Sequence, residues 1–236
     1  MLIVLFDESI LPSRRVEAAA IQHFEPQQRL VLLSLLDEFN DCFADSPGRC
    51  DVVTHRIMMT PDFVPKQVRP YGVPEIFWSE VNKQIKELLD QGLIRPSNNP
   101  MASPIVCVAK DGGVRIACDY RYLNKYIVGD AFPMATVNET LAKIGASTYL
   151  STFDAKSGYH QVPVRKQNRW LTAFVTHDGL YEWVHMPFGL KNAGATFVRA
   201  IRSVLQPIMT FLSRMSTIWV LDRIADINIW TTSVNF

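Results

Sequence analysis

The segment richest in chemistry is Phe153-Asp-Ala-Lys-Ser-Gly-Tyr-His-Gln161. Asp154 closes an apolar run, Tyr149–Asp154, that reads as a strand. A carboxylate at a strand end can lean into a cleft as a base or as a hard oxygen ligand for a cation. Gly158 then allows a ligand to come close to the backbone. Alone, an Asp in this place serves equally well as a turn residue or a helix N-cap. A second segment carries Lys110 and Arg115 on one hairpin, two cations that suit a triphosphate or a phosphate backbone. Lys110-Asp-Gly is also ordinary turn chemistry. The third segment is Val184-His-Met-Pro-Phe-Gly-Leu-Lys-Asn-Ala-Gly-Ala-Thr-Phe197. Pro187 and Gly189 force a turn there, Asn192 can cap the helix that follows, and Ala193, Gly194 and Ala195 let that helix pack closely. The five histidines (His23, His55, His160, His177, His185) and four cysteines (Cys42, Cys50, Cys107, Cys118) show no metal-ligand spacing. No GxSxG, P-loop or GxGxxG string is present.

The elements that must position these residues follow from hydrophobic period and punctuation. Helical spacing of Leu30, Leu33, Leu36 and Phe39 predicts a helix over Pro26–Phe43. Thr54–Thr60 reads as a short strand, and Pro61–Pro74, with four prolines, as extended irregular chain. Pro74–Gln91 reads as a helix capped by Gly92, with Ile76, Val81, Ile85, Leu88 and Leu89 as its buried face. Ser103–Ala109 and Val114–Asp119 form a hairpin across Lys110-Asp-Gly-Gly113, and Leu171–Thr176 with Leu180–Val184 a second across His177-Asp-Gly179. Tyr120–Tyr126 sets Arg121 and Lys125 one helical turn apart. Val137–Ile144 reads as a short helix, and Asn192–Leu205 as a helix stopped before Pro207. Helices and hairpins without βαβ alternation indicate an α+β fold.

The chain has 236 residues, of which 48% are hydrophobic and 20% charged, a composition that excludes general disorder. Its longest apolar stretches, such as Leu30–Leu36, fall far short of the roughly 20 residues of a membrane span. Met1–Phe6 lacks a basic flank and meets Asp7 and Glu8, so it reads as neither signal nor anchor and as the ragged start of a fragment. Reduced thiols in an intracellular protein are expected. The net charge of +1 hides an asymmetry, −4 over residues 1–109 against +5 over 110–202. A basic central segment suits a polyanionic partner, although a solvated basic face would give the same count.

In this order the segments resemble the reverse transcriptase domain of gypsy-type long-terminal-repeat retrotransposons, from about His55 to Leu205. The strings that carry the resemblance are Gly92-Leu-Ile-Arg-Pro-Ser97, Ala102-Ser-Pro-Ile-Val106, Asp119-Tyr-Arg-Tyr-Leu-Asn124, Phe153–Gln161, Leu171-Thr-Ala-Phe174 and Met186–Phe197. The resemblance implies a right-hand polymerase, with fingers at about 60–148 and 160–190 and a palm centred on Tyr149–Asp154 and the helix at 192–205. The implied domains are a linker region at 1–54, fingers and palm at 55–208, and an aberrant tail at 209–236. The implied chemistry is RNA-directed, template-dependent nucleotidyl transfer from deoxynucleoside triphosphates on an RNA or DNA template–primer, assisted by two Mg²⁺ ions. Asp154 matches the first metal-binding aspartate, with the Ala155 carbonyl beside it. Lys110 and Arg115 match the residues that hold the triphosphate, Tyr159 the aromatic residue under the sugar, and Phe188 and Gly189 the loop against the nucleotide. The resemblance places the chain inside cells, in the cytoplasm or a retroelement particle and neither secreted nor in a membrane.

The match breaks after Pro207, where the family has a Tyr-x-Asp-Asp hairpin. This sequence reads Met209-Thr-Phe-Leu-Ser-Arg-Met-Ser-Thr-Ile-Trp-Val-Leu221. Asp222 and Asp226 are not adjacent and lack the preceding aromatic, so no metal role passes to them. With free codon bases suitably chosen, Met209–Val220 read from the third base of the Met209 codon spells Asp-Phe-Ser-Glu-Ser-Tyr-Val-Asp-Asp-Met-Gly. The fixed bases of Met215 and Trp219 permit this. The expectation is therefore a frameshift near Ile208–Met209, with the thumb and the palm's catalytic hairpin missing, the Asp154 strand left with an unpaired edge, and low solubility. One carboxylate cannot hold two Mg²⁺ ions, so the expected product is a truncated, catalytically dead reverse transcriptase domain. The alternatives are a non-catalytic nucleic-acid-binding remnant and a pseudogene product without activity.

Overall fold

A computed structural model describes residues 21–22, 24–39, 47–110, 113–133, 138, 151–214, 220–224 and 227–232. The chain separates into two compact units, one of residues 1–48, 134–158 and 202–236, the other of residues 49–133 and 159–201.

In the first unit, helix α1 spans Pro26–Glu38, with Pro26 at a position where a missing N–H costs nothing. The Glu25 backbone N–H donates to Gln28 Oε1 at 3.0 Å, and Arg29 ties the helix start to the Phe24 and Gln22 carbonyls. Leu36 packs on Ile21 with Phe24, Leu32 and Leu33 around them. The expected continuation to Phe43 lies outside the described residues from 40 on, and so does the helix expected at Val137–Ile144, apart from Asn138.

Strand β4 (Ser151–Asp154) pairs antiparallel with β8 (Ile227–Thr232), which pairs with β7 (Val220–Ile224). A β7–β8 hairpin therefore stands against β4, where the sequence predicts the loss of the palm's hairpin and an unpaired edge on the Asp154 strand. The tail is rich in β-branched and aromatic residues, Ile227-Asn-Ile-Trp-Thr-Thr232 above all, and these favour a pleated surface whatever their origin. β4 ends the order β4-β8-β7, so its other edge has no partner strand among the described residues. The hairpin is present and the Tyr-x-Asp-Asp sequence is not.

In the second unit five strands run in the order β1-β6-β5-β2-β3: β1 (Ile94–Pro96), β6 (Leu180–Trp183), β5 (Phe174–Val175), β2 (Ser103–Lys110) and β3 (Gly113–Cys118). All neighbours are antiparallel except β2 and β5. Helix α2 (Trp78–Asp90) follows a 3₁₀ turn at Glu75–Phe77 and buries Val81 and Ile85, as its period predicts. Ile76 is 81% exposed, contrary to expectation, because the 3₁₀ turn changes the period before the helix begins. Gly92 adopts φ +68° at the C-terminal end, where the Leu93 N–H reaches back to the Leu88 carbonyl.

The core of this unit gathers Val81, Met101, Ile105, Tyr120, Leu123, Leu171, Phe174 and Met186. The proline-rich segment is extended, as expected. Thr54–Thr60 is not a strand of its own: it makes single bridges, His55 to Val164 and Met59 to Ile127, and Pro61, with no N–H to give, follows it directly. The second hairpin is shorter than its sequence suggests. Residues Lys166–Thr172 are 3₁₀, because the Thr172 hydroxyl bonds the Arg169 carbonyl and accepts from the Trp183 N–H instead of joining a ladder. Helix α3 is Arg121–Tyr126. Helix α4 runs Ala193–Arg214, straight through Pro207, where a stop was expected. A proline removes one hydrogen bond and bends a helix, but apolar residues on both sides of it keep the helical period here.

Candidate functional site

The β2–β3 hairpin presents two unlike faces. Val114 is buried, whereas Val106, Val108, Arg115 and Ala117 are exposed. Val108 is the register partner of Arg115, and Lys110 that of Gly113. Cross-strand partners share a face, and so do residues two apart on one strand. Lys110 and Arg115 therefore occupy diagonal positions on one exposed, otherwise apolar face. That is an arrangement able to meet a phosphate chain with two cations.

The aromatic part of the site is built on the turn after β4. Tyr159 lies in a 3₁₀ segment, Gly158–Gln161, and is buried. Its ring stacks on Phe188 at 5.1 Å and meets Phe197 edge-on at 5.3 Å. His160 stacks on Trp183 at 4.9 Å and meets the Phe188 edge at 5.1 Å, and its Nδ1 lies 3.1 Å from the Met186 carbonyl. Phe188 is thus held from below by two rings while remaining 38% exposed. Such a ring can lie against a flat apolar group of a ligand.

Gly189 has φ +86°, a conformation that strains any residue with a Cβ. The turn is fixed from the opposite side by α3 and the chain after it. Asn124 donates to the Gly189 carbonyl and accepts from the Lys191 N–H, both at 2.8 Å. Lys191 Nζ donates to the Ile127 carbonyl at 2.8 Å. Asn192, at φ +71°, donates to the Val128 carbonyl at 2.7 Å and accepts from the Asp130 N–H at 3.0 Å. Asn192 therefore stands at the helix start but does not cap α4 with its side chain, because the neighbouring segment uses both ends of its amide. Ala193 and Ala195 are buried, as close packing of α4 requires. Arg199 pairs with Asp130 at 2.8 Å and lies over the Phe132 ring, and the guanidinium holds the Asp130 carboxyl below its ordinary range.

Three features of this unit were not read from the sequence. His55 is buried, with Nδ1 2.9 Å from Thr196 Oγ1 of α4, and burial pushes its pKa down to about 4 against a small upward pull from Asp130. Glu182 is buried and accepts from Arg95 Nε at 2.7 Å, from Ser97 Oγ at 3.1 Å and from Asn99 Nδ2. Asp119 and Arg121 form an exposed fork with Tyr71, and Arg121 holds the Asp119 carboxyl down at about 2. The available signal for the last two was charge placement within the strings Gly92–Ser97 and Asp119–Asn124.

Asp154 and Ala155 belong to the other unit. Asp154 ends β4 as expected, and the Ala155 carbonyl accepts the Gly158 N–H at 3.1 Å. Asp154 and Asp222 are each register partners of Ile229, so one strand separates them. Asp226 lies outside the described residues. Paired Mg²⁺ ions require several carboxylates converging on one point. Among the described residues no three His, Cys, Asp or Glu side chains group to hold a metal, and the sequence places no second aspartate next to Asp222.

Comparison with known proteins agrees with this layout. The family described as reverse transcriptase (RNA-dependent DNA polymerase) matches residues 108–224. The chain is 32% identical over 198 residues to the retrovirus-related Pol polyprotein from transposon 297 of Drosophila melanogaster, a match covering 80% of this chain and 19% of that protein. It is 39% identical over 133 residues to the Pol polyprotein from transposon gypsy of the same organism, covering 53% and 13%. Against the enzymatic polyprotein of Cauliflower mosaic virus (strain NY8153) it is 39% identical over 138 residues, covering 56% and 20%. The chain thus spans about a fifth or less of the length of these relatives. Among solved structures, prototype foamy virus protease–reverse transcriptase superposes with a TM-score of 0.77 at 23% identity, covering 100% of this chain and 30% of that one. The foamy viral enzyme in complex with an RNA/DNA hybrid gives 0.73 at 22%, covering 91% and 28%. These structures show that the fold is that of reverse transcriptase fingers and palm. No helix among the described residues is long and apolar enough to cross a membrane. Ordered motifs, fold and sequence relatives agree: the chain carries a reverse transcriptase domain similar to those of retroelement Pol polyproteins.

Proposed function

We propose that this chain binds a nucleic-acid template–primer and a deoxynucleoside triphosphate as reverse transcriptase fingers and palm do, and that it does not complete nucleotidyl transfer. The observation that carries the binding half is the exposed face of the β2–β3 hairpin, where register places Lys110 and Arg115 diagonally among small apolar residues. On this reading the two cations hold the triphosphate, Phe188 and Gly189 lie against the nucleotide, and Tyr159 supports them from beneath. Exposed Lys66, Arg69, Arg121 and Lys125 supply further charge for a phosphate backbone. The foamy viral relatives, solved with an RNA/DNA hybrid and with double-stranded DNA, support the partner class.

The catalytic half fails on donors. In the family a divalent cation supplies the charge that activates the primer hydroxyl and steadies the leaving pyrophosphate. Here Asp154, with the Ala155 carbonyl, is the whole set assigned to Mg²⁺. The span 55–208 is the fingers–palm part on this reading, preceded by a linker region at 1–54. The tail at 209–236 is out-of-frame translation, whose signature is a genomic sequence spelling Tyr-Val-Asp-Asp in the other frame. The setting is intracellular, in cytoplasm or a retroelement particle.

Binding is tested by fluorescence anisotropy with a labelled RNA/DNA hybrid. Affinity is expected to fall about 100-fold between 50 and 200 mM salt, as for roughly four neutralised phosphates. Absence of binding at the lower salt would overturn this reading in favour of a product without a nucleic-acid role.

A further inference from the structure

Strand β3 lies at the outer edge of its sheet. An edge strand turns a row of N–H and C=O groups away from its partner, and these must find water or another group. On β3 two of them are met by one side chain of α2. Gln84 Nε2 donates to the Val114 carbonyl, and Gln84 Oε1 accepts from the Ile116 N–H at 3.2 Å. Glu80, one turn earlier on α2, accepts a second N–H from Gln84 Nε2 at 2.9 Å and so sets which end of the amide faces which backbone group.

The spacing of these bonds is informative. A carbonyl at one position and an N–H two residues later are the groups that a single residue of a parallel neighbouring strand engages. The Gln84 amide therefore stands in for one residue of a sixth strand. The residue it brackets is Arg115, which is exposed on the face shared with Lys110. On its other edge Arg115 is held by the ladder to β2, opposite Val108. Its backbone is pinned on both sides at the one position of β3 that carries a charge.

We infer that Gln84 is a positioning residue for Arg115: by clamping the β3 edge on either side of it, Gln84 fixes the point from which the guanidinium reaches a triphosphate. The inference rests on the reading of Arg115 given above. A purely protective role, shielding an edge from other strands, predicts the same hydrogen bonds but no link to ligand binding.

The experiment has two arms on the full chain. Hydrogen exchange at the Ile116 amide, read by NMR, reports the clamp itself. Gln84→Met, nearly the same size without the amide, is expected to speed that exchange about 10-fold, the equivalent of one lost hydrogen bond. Unchanged exchange overturns the clamp. The second arm measures dGTP affinity with no divalent cation added, for wild type, Gln84→Met, Arg115→Ala and the double variant. Gln84→Met is expected to weaken binding about 5-fold alone and not at all when Arg115 is already alanine. Equal loss in both backgrounds overturns action through Arg115 and leaves edge protection. Should wild type show no dGTP affinity, the triphosphate reading and the purpose assigned to Gln84 both fall, while the exchange arm still shows whether the clamp exists. If Gln84→Met does not fold, Gln84→Glu keeps the acceptor for Ile116 and loses the donor to both Val114 and Glu80. About 2-fold weaker dGTP binding is then expected, and an unchanged affinity overturns the inference.

Discussion

Lowering the pH from 7 to 5 is expected to remove about 4 kcal/mol of stability, most of it through His55 and His160. Both rings are buried, and burial pushes both down to about 4. In the unfolded chain they titrate near 6.5. The folded protein therefore keeps them neutral at a pH where the unfolded chain protonates, and the unfolded state binds more protons. Their contribution is complete above pH 6.5, shrinks as pH falls below it, and is lost by about pH 4. Each group changes stability by about 1.4 kcal/mol per pH unit inside that window. At pH 5 the two together cost about 4 kcal/mol, a large share of the 5–15 kcal/mol typical of a domain. His185 is pushed down as well, chiefly by burial and then by Arg49 and Arg169, and adds in the same direction. Urea unfolding at pH 7 and pH 5 measures the effect, with a midpoint shift of roughly 2 M expected. His55→Gln keeps a partner for Thr196 and should roughly halve the pH dependence. A midpoint that does not move between the two pH values contradicts the burial of these rings.

Arg95→Ala is expected to cost about 2–3 kcal/mol, more than loss of a surface ion pair. The Arg95 side chain is 55% exposed, so solvent screens its own share of the attraction. What it leaves behind decides the size. The Glu182 side chain is 3% exposed, and without Arg95 its charge would keep hydrogen bonds only from Ser97 and Asn99, with Arg169 the remaining cation that acts on it. A buried carboxylate stripped of its cation is among the more costly defects. The same pair joins β1 to β6 at Arg95 and Glu182, so register and charge fail together. Arg95→Ala combined with Glu182→Gln should recover at least half of the loss, because the stranded charge is gone. Chemical denaturation of the single and double variants reads both numbers. A loss under about 1 kcal/mol, or no recovery in the double variant, would show that Glu182 is stabilised by something else.

Local periodicity and turn chemistry carried much of this fold into the sequence. Val81 and Ile85 announced the buried face of α2, Gly92 its end, and Lys110-Asp-Gly-Gly113 the hairpin that bears Arg115. Failures came where long-range partners replaced local ones. Thr54–Thr60 looks β-like because it lies against Val164 and Ile127, over a hundred and about seventy residues away, and such bridges leave no period to read. Thr172 sits in a run that reads as strand, yet its hydroxyl captures backbone groups and winds the chain into 3₁₀. Pro207 looks like a stop, but helix α4 passes through it.

The site shows the same division. The residues assigned a chemical role were named through motif and resemblance. The amides that hold them, Gln84 for β3 and Asn124 and Asn192 for the Gly189 turn, were not, since a glutamine or asparagine carries no pattern that names its distant partner. The tail misled in the opposite sense: a sequence without the paired aspartates still pairs with β4, because strand formation asks only for suitable side chains.

The most direct test of the central claim is a primer-extension assay with the purified chain, an RNA template annealed to a DNA primer, all four deoxynucleoside triphosphates and Mg²⁺. On the proposed reading, in which Asp154 stands without the family's paired aspartates, the primer should remain unextended, and Asp154→Asn should be indistinguishable from wild type, even while the hybrid is bound. Template-directed, Mg²⁺-dependent extension that disappears in Asp154→Asn would contradict the account and show that a second carboxylate, outside the family's paired-aspartate motif, completes the centre.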